Sequence, residues 1–245
     1  MQIHVTGALR VHGSARCWGA DGSYLSVYPP APVACRQDSQ SATCSGLRAT
    51  RAQPLSLRWR IPLTLAACLV SLQAADWRQA LEYRRAAVLR GELWRLVTSN
   101  VVHLGWLHLA RDLAGLFLIW ALVGDSLDER AWLSVLATSG LAVGLGLLVL
   151  SPEVSWYVGI SGVLFGLFCA GSLRQLSHRP IFAGVLLLGM VSVVAWTLST
   201  GSLPSETVGL GGRVVPQAHL YGALGGAAVI LVRTALRTHW FRDPG

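Results

Sequence analysis

Six stretches of the chain are apolar over helical lengths and are joined by short polar or charged connections, a pattern that predicts a bundle of membrane-crossing helices. The first, residues 61–75, follows Arg58 and Arg60 and becomes long enough to span once Leu55 and Leu57 are included. Residues 76–102 are rich in Arg, Glu and Trp and too polar to span, which predicts helical pieces lying at the interface, where Trp77, Trp94 and Trp106 are at home. Five more spans follow, over residues 103–124, 131–150, 157–173, 180–198 and 216–235. The expected fold is therefore all-α, a six-span bundle with a membrane-associated first loop.

This membrane domain occupies residues 59–236. Residues 1–58 show neither helical nor strand period and read as a disordered tail, without the apolar core of a secretory signal. A true start further in is the second reading of that stretch. Residues 237–245 read as a short cytoplasmic tail.

Composition agrees with the pattern: 53% of residues are hydrophobic and 13% charged, too apolar for an ordinary soluble domain of this size. The formal charge of +8 comes from Arg scattered along the chain rather than gathered into one stripe, which argues against a nucleic-acid partner. With six spans, Arg48, Arg51, Arg58, Arg60, Arg174, Arg179, Arg233, Arg237 and Arg242 fall on one side. The positive-inside rule makes that side, and both termini, cytoplasmic. The five cysteines are odd in number and match neither a CxxC site nor a disulfide framework.

Orientation then brings the chemistry into view. The spans beginning near His103, Tyr157 and Pro216 all start from the outer face, so His108, Ser161 and His219 share a layer roughly 5–10 Å below it at about 1.5 Å rise per residue. Gly162 with Gly166, and Gly222 with Gly226, are small-xxx-small pairs that let two helices approach closely. His219, Gly222 and Gly226 lie on one helical face, so the histidine follows the contact stripe. A serine hydroxyl becomes a nucleophile when a base within hydrogen-bond reach takes its proton, and His219 is the candidate base for Ser161. No Asp or Glu occurs in the last span, so a Ser-His dyad is the expected arrangement. The Ser161 N–H and the His108 side chain are candidate oxyanion donors. Asp112 is one turn from His108: ionised it would repel an oxyanion, whereas protonated or paired with His108 it could help. His103, at the membrane boundary, reads as structural.

The set Trp94-Arg95, His103-x4-His108-x3-Asp112, Gly159-Ile160-Ser161-Gly162 with Gly166, and Ala218-His219-x2-Gly222-x3-Gly226 resembles the rhomboid family of intramembrane serine proteases over residues 60–235. The resemblance implies a six-helix bundle, Ser161 as nucleophile, His219 as general base, His108 as an oxyanion donor, and Trp94 and Arg95 as part of a structural first loop. Many rhomboids carry an oxyanion-binding Asn where this chain has Asp112, which leaves the role of that position open. The HLGWLHLARDLAGL run is also similar to rhombosortases, a bacterial branch associated with C-terminal Gly-Gly sorting tails. Implied partners are the lipid bilayer and the transmembrane segment of a protein substrate, in a bacterial inner membrane with the site open to the periplasmic side. No cofactor or metal is called for, since no HExxH pattern occurs and a His103, His108 and His219 set lacks a convincing carboxylate or thiolate. The alternatives are a transporter, for which no internal repeat is visible, and a rhomboid-like binding protein, which would be expected to lack Ser or His.

Overall fold

The computed structural model describes residues 59–201 and 214–240, with side chains to residue 236, and the backbone of five short stretches ahead of them. Those stretches form a unit of their own. Val5–Val11 (β1), Ser14–Gly19 (β2) and Tyr24–Val27 (β3) make an antiparallel meander, and Cys35–Asp38 (β4) pairs with Ser41–Cys44 (β5). The rest of the stretch expected to be a disordered tail, and residues 241–245 of the expected C-terminal tail, lie outside the described residues.

In the second unit, α1 (Arg60–Ala74) stops where Asp76 takes φ +51°, a left-handed position that Asp tolerates. The mixed segment breaks into the expected helical pieces: α2 (Arg78–Leu81), α3 (Arg85–Leu89) and α4 (Arg95–Thr98). Between α2 and α3, the two-residue strand β6 (Tyr83–Arg84) pairs antiparallel with β7 (Trp156–Tyr157), a tie across the sequence that no local pattern announces. Among the described residues, four helices are long and apolar enough to cross a membrane: α5 (Trp106–Val123), α6 (Glu129–Val149), α8 (Pro180–Thr200) and α9 (Pro216–Trp240). Between β7 and α8 lies α7 (Ser161–Gln175). Both α1 and α7 have 15 residues, about 22 Å of helix against the roughly 30 Å of a hydrocarbon core.

Helix ends follow their chemistry. The Asp128 carboxylate caps α6 by accepting from the Ala131 N–H at 2.7 Å. At the other end, the Arg85 guanidinium donates to the Leu147 and Leu148 carbonyls at 3.3 and 2.8 Å, tying α6 to the first loop. Pro180 opens α8, where its missing N–H costs nothing.

The core gathers around α7, which buries ten of its 15 residues against α5, α6 and α9. Leu164, Leu167 and Ala170 meet Leu109, Leu116, Trp132 and Val135. In contrast, α8 buries only Ala183, Met190, Val194 and Thr197 and turns Ile181, Val185, Leu188, Val191 and Trp196 outward, as a helix with one face to lipid does.

Candidate active site

Ser161 is the first residue of α7 rather than one already inside a helix beginning at Tyr157. The residues before it, the end of β7 and a turn at Gly159, are held from three sides. Tyr157 pairs with Tyr83 through the β6 and β7 ladder and donates its hydroxyl to the Gly159 carbonyl at 2.8 Å. The Gly159 N–H donates to the Ser99 carbonyl at 3.0 Å. Gly159 has φ +118°, and a Cβ there would sit 2.8 Å from the His108 ring, so both conformation and space require glycine. This turn delivers Ser161 to a helix N-terminus, where first-turn N–H groups lack intrahelical acceptors and suit a developing negative charge.

His219 comes from α9. Its backbone touches that of α7: a Cβ on Gly222 would collide with the Gly162 carbonyl, one on Gly226 with the Gly166 carbonyl, and one on Gly162 would lie 2.7 Å from the Ala218 carbonyl. That closeness places the Nε2 of His219 3.1 Å from the Ser161 Oγ. His219 is 3% exposed, and its ring stacks on Phe165 with centroids 4.3 Å apart and planes 9° from parallel. Among the described residues its Nδ1 has no hydrogen-bond partner, so an aromatic face rather than a carboxylate orients this imidazole. Phe165 was not singled out in the sequence, although its position one helical turn after Ser161 carried the signal.

Three further groups converge beside the serine. The Oδ2 of Asp112 lies 3.1 Å from the Nε2 of His103 and 3.6 Å from the Nε2 of His108, and accepts from the Ile160 N–H at 3.3 Å. Asp112 is thus hydrogen-bonded to His103, with His108 just beyond hydrogen-bond length. His103 is fully buried as Asp112's partner, a pairing that its nine-residue separation hid from helical-face reasoning. The cluster does not form a ligand set for a metal ion.

Arg95 is 9% exposed and gathers the first loop, donating from Nη1 to the Gln79 and Glu82 carbonyls at 3.1 and 2.8 Å and from Nε to the Glu92 carboxylate at 2.7 Å. Trp94 is half exposed, its indole N–H 3.5 Å from the Ala80 carbonyl.

Residues 90–235 match the model of the rhomboid domain family, a span that holds every one of these side chains. The chain belongs to the rhomboid family. Among its rhomboid relatives, the putative rhomboid protease YdcA of Bacillus subtilis is 27% identical over 150 residues, covering 61% of this chain and 72% of that protein. The rhomboid protease GluP of the same organism is 28% identical over 141 residues, 57% of this chain and 26% of its own length. RHOMBOID-like protein 2 of Arabidopsis thaliana is 29% identical over 173 residues, covering 67% and 49%. The chain spans most of the first of these, about half of the third and about a quarter of the second. Family membership and the four long apolar helices make this rhomboid a multi-pass membrane protein.

Proposed function

We propose that this chain is an intramembrane serine endopeptidase that cleaves transmembrane segments through a Ser161 and His219 dyad. The observation that carries the reading is the 3.1 Å approach of the His219 Nε2 to the Ser161 Oγ across a glycine-lined helix contact. In this mechanism His219 takes the hydroxyl proton as Ser161 attacks a substrate carbonyl, then returns it to the leaving amine, and water resolves the acyl-enzyme. The Ser161 N–H and the His108 side chain stabilise the oxyanion. Trp94 and Arg95 hold the first loop as a membrane-associated support, and Gly159, Gly162, Gly166, Gly222 and Gly226 set the distances.

The full topology in this reading has six spans, α1 and α7 included, in a bacterial inner membrane with both termini cytoplasmic and the site open to the periplasm. The short α7 fits that placement, because its first residue then sits below the outer surface with residues 156–160 above it. In a cysteine-free background, a membrane-impermeant maleimide should reach Ser155→Cys from outside on intact cells and Ser177→Cys only after lysis; the reverse pattern would overturn the orientation. The HLGWLHLARDLAGL run favours substrates bearing C-terminal Gly-Gly sorting tails, for which an amine could replace water in the second step. The test is reconstitution with single-span substrates, with and without such a tail. The wild type should cleave and release a product of defined mass, and Ser161→Ala and His219→Ala should release none. Equal cleavage by all three would contradict the dyad, and loss of preference for the tail would remove the narrower assignment.

A further inference from the structure

We propose that Asp112 is a positioning residue that acts only as a hydrogen-bond acceptor, holding the turn before Ser161 in place and leaving the Nε2–H of His108 uncommitted; the proposal rests on the Ser161 and His219 reading. The Ile160 N–H can only donate, and it points to the Asp112 Oδ2 at 3.3 Å. The Leu104 N–H can also only donate, and its acceptor is the Nδ1 of His108 at 3.4 Å. That nitrogen is therefore unprotonated in the neutral ring, and the hydrogen of His108 resides on Nε2.

Nε2 of His108 faces the Asp112 Oδ2 at 3.6 Å, within electrostatic reach yet too far to be committed to it. An oxygen with one fixed donor and a second N–H nearby carries no proton itself, so the His103 Nε2 at 3.1 Å is a donor too. The buried Nδ1 of His103, which has no partner among the described residues, is then the bare nitrogen of a neutral ring rather than a stranded N–H. The two imidazoles stand edge to face, 84° apart, so each presents its Nε2 to the same oxygen.

The consequence for catalysis follows from this allocation. An acceptor cannot stabilise an oxyanion directly, so Asp112 contributes through its neighbours. It anchors Ile160, the residue next to Ser161, while the Leu104 N–H sets the one tautomer of His108 that offers a hydrogen to the oxyanion. Because the 3.6 Å contact leaves that hydrogen uncommitted, an oxyanion can take it without breaking a hydrogen bond. His103 completes the arrangement by anchoring the carboxylate from the segment ahead of α5.

The experiment uses the full chain in detergent, with rates of modification by a fluorophosphonate probe and histidine tautomers read from long-range 15N–1H spectra of 15N-histidine-labelled protein. In the wild type the His108 signal should be that of the Nε2–H tautomer. Asp112→Ala loses the anchor of Ile160 and should slow modification by about tenfold to a hundredfold, while the Leu104 N–H keeps the His108 tautomer as it is. Asp112→Asn retains an acceptor oxygen and should bring the rate to within about fivefold of wild type. Should Asp112→Ala unfold the bundle, His103→Leu tests the same point, since it removes the donor that anchors Asp112 and should slow modification as well. A His108 signal of the other tautomer in the wild type, a wild-type rate in the folded Asp112→Ala or His103→Leu variant, or an Asn variant as slow as Ala, would overturn the proposal. Ser161→Ala separates the two readings. Loss of modification in Ser161→Ala with wild-type rates in Asp112→Ala sinks the positioning role alone, whereas modification that survives Ser161→Ala sinks the dyad beneath it.

Discussion

The imidazole of His219 is oriented by a ring rather than by an acid. With Nε2 accepting from Ser161, the hydrogen on Nδ1 has no protein acceptor among the described residues, and the stack on Phe165 is what fixes the plane. An aromatic stack contributes about 0.5–1.5 kcal/mol beyond area burial, which corresponds to roughly a two- to tenfold effect on rate. Phe165→Leu keeps the apolar volume and loses the stack. It should slow fluorophosphonate modification by that factor while the melting temperature stays near wild type, and an unchanged rate would show that the stack does not orient the base. At this scale much was legible in advance. Ser161 and His219 stood out together: a serine among glycines is ordinary in a membrane helix, and it is the shared depth with His108 and His219 that singles it out. His103 did not, since its meeting with Asp112 depends on the bend between the 3-10 turn Ser99–Val101 and α5, which residue types alone do not encode.

Between elements, the contact of α7 with α9 sets the distance from His219 to Ser161. Backbone meets backbone along Gly162, Gly166, Gly222 and Gly226, so an added methyl must push the helices apart. Gly222→Ala should therefore destabilise the bundle by about 1–3 kcal/mol and lower activity with it. Gly189→Ala in α8 is the control, because a Cβ there meets nothing within 4 Å and alanine suits a helix interior better, by roughly 0.5–1 kcal/mol. Melting curves in one detergent would check the pair, and equal shifts would contradict the close-contact account. Small-residue spacing made this interface readable from the sequence. The true start of α7 was not readable, because the β6 and β7 pairing and the positive φ of Gly159 shorten a stretch whose apolar composition continues unbroken from Tyr157.

As a whole, the described membrane unit is a set of lipid-suited helices around a short central one that carries Ser161. The first loop is fastened to it at several points: Arg85 on the end of α6, β6 on β7, and Ser99 on Gly159. Span positions came from hydropathy with errors of a few residues at the ends, since α5 begins at Trp106 rather than His103 and α9 runs to Trp240 rather than 235. What hydropathy could not give is how the loop folds back, because Arg85 and Arg95 reach main-chain carbonyls that no residue pattern marks. The central claim is that this scaffold activates one serine through one histidine. The most direct measurement is covalent labelling of the purified protein by a fluorophosphonate, with peptide mapping of the adduct, in wild type, Ser161→Ala and His219→Ala. The account predicts an adduct on Ser161 in the wild type and none in either variant. Equal labelling of all three, or an adduct mapped to another residue, would contradict it.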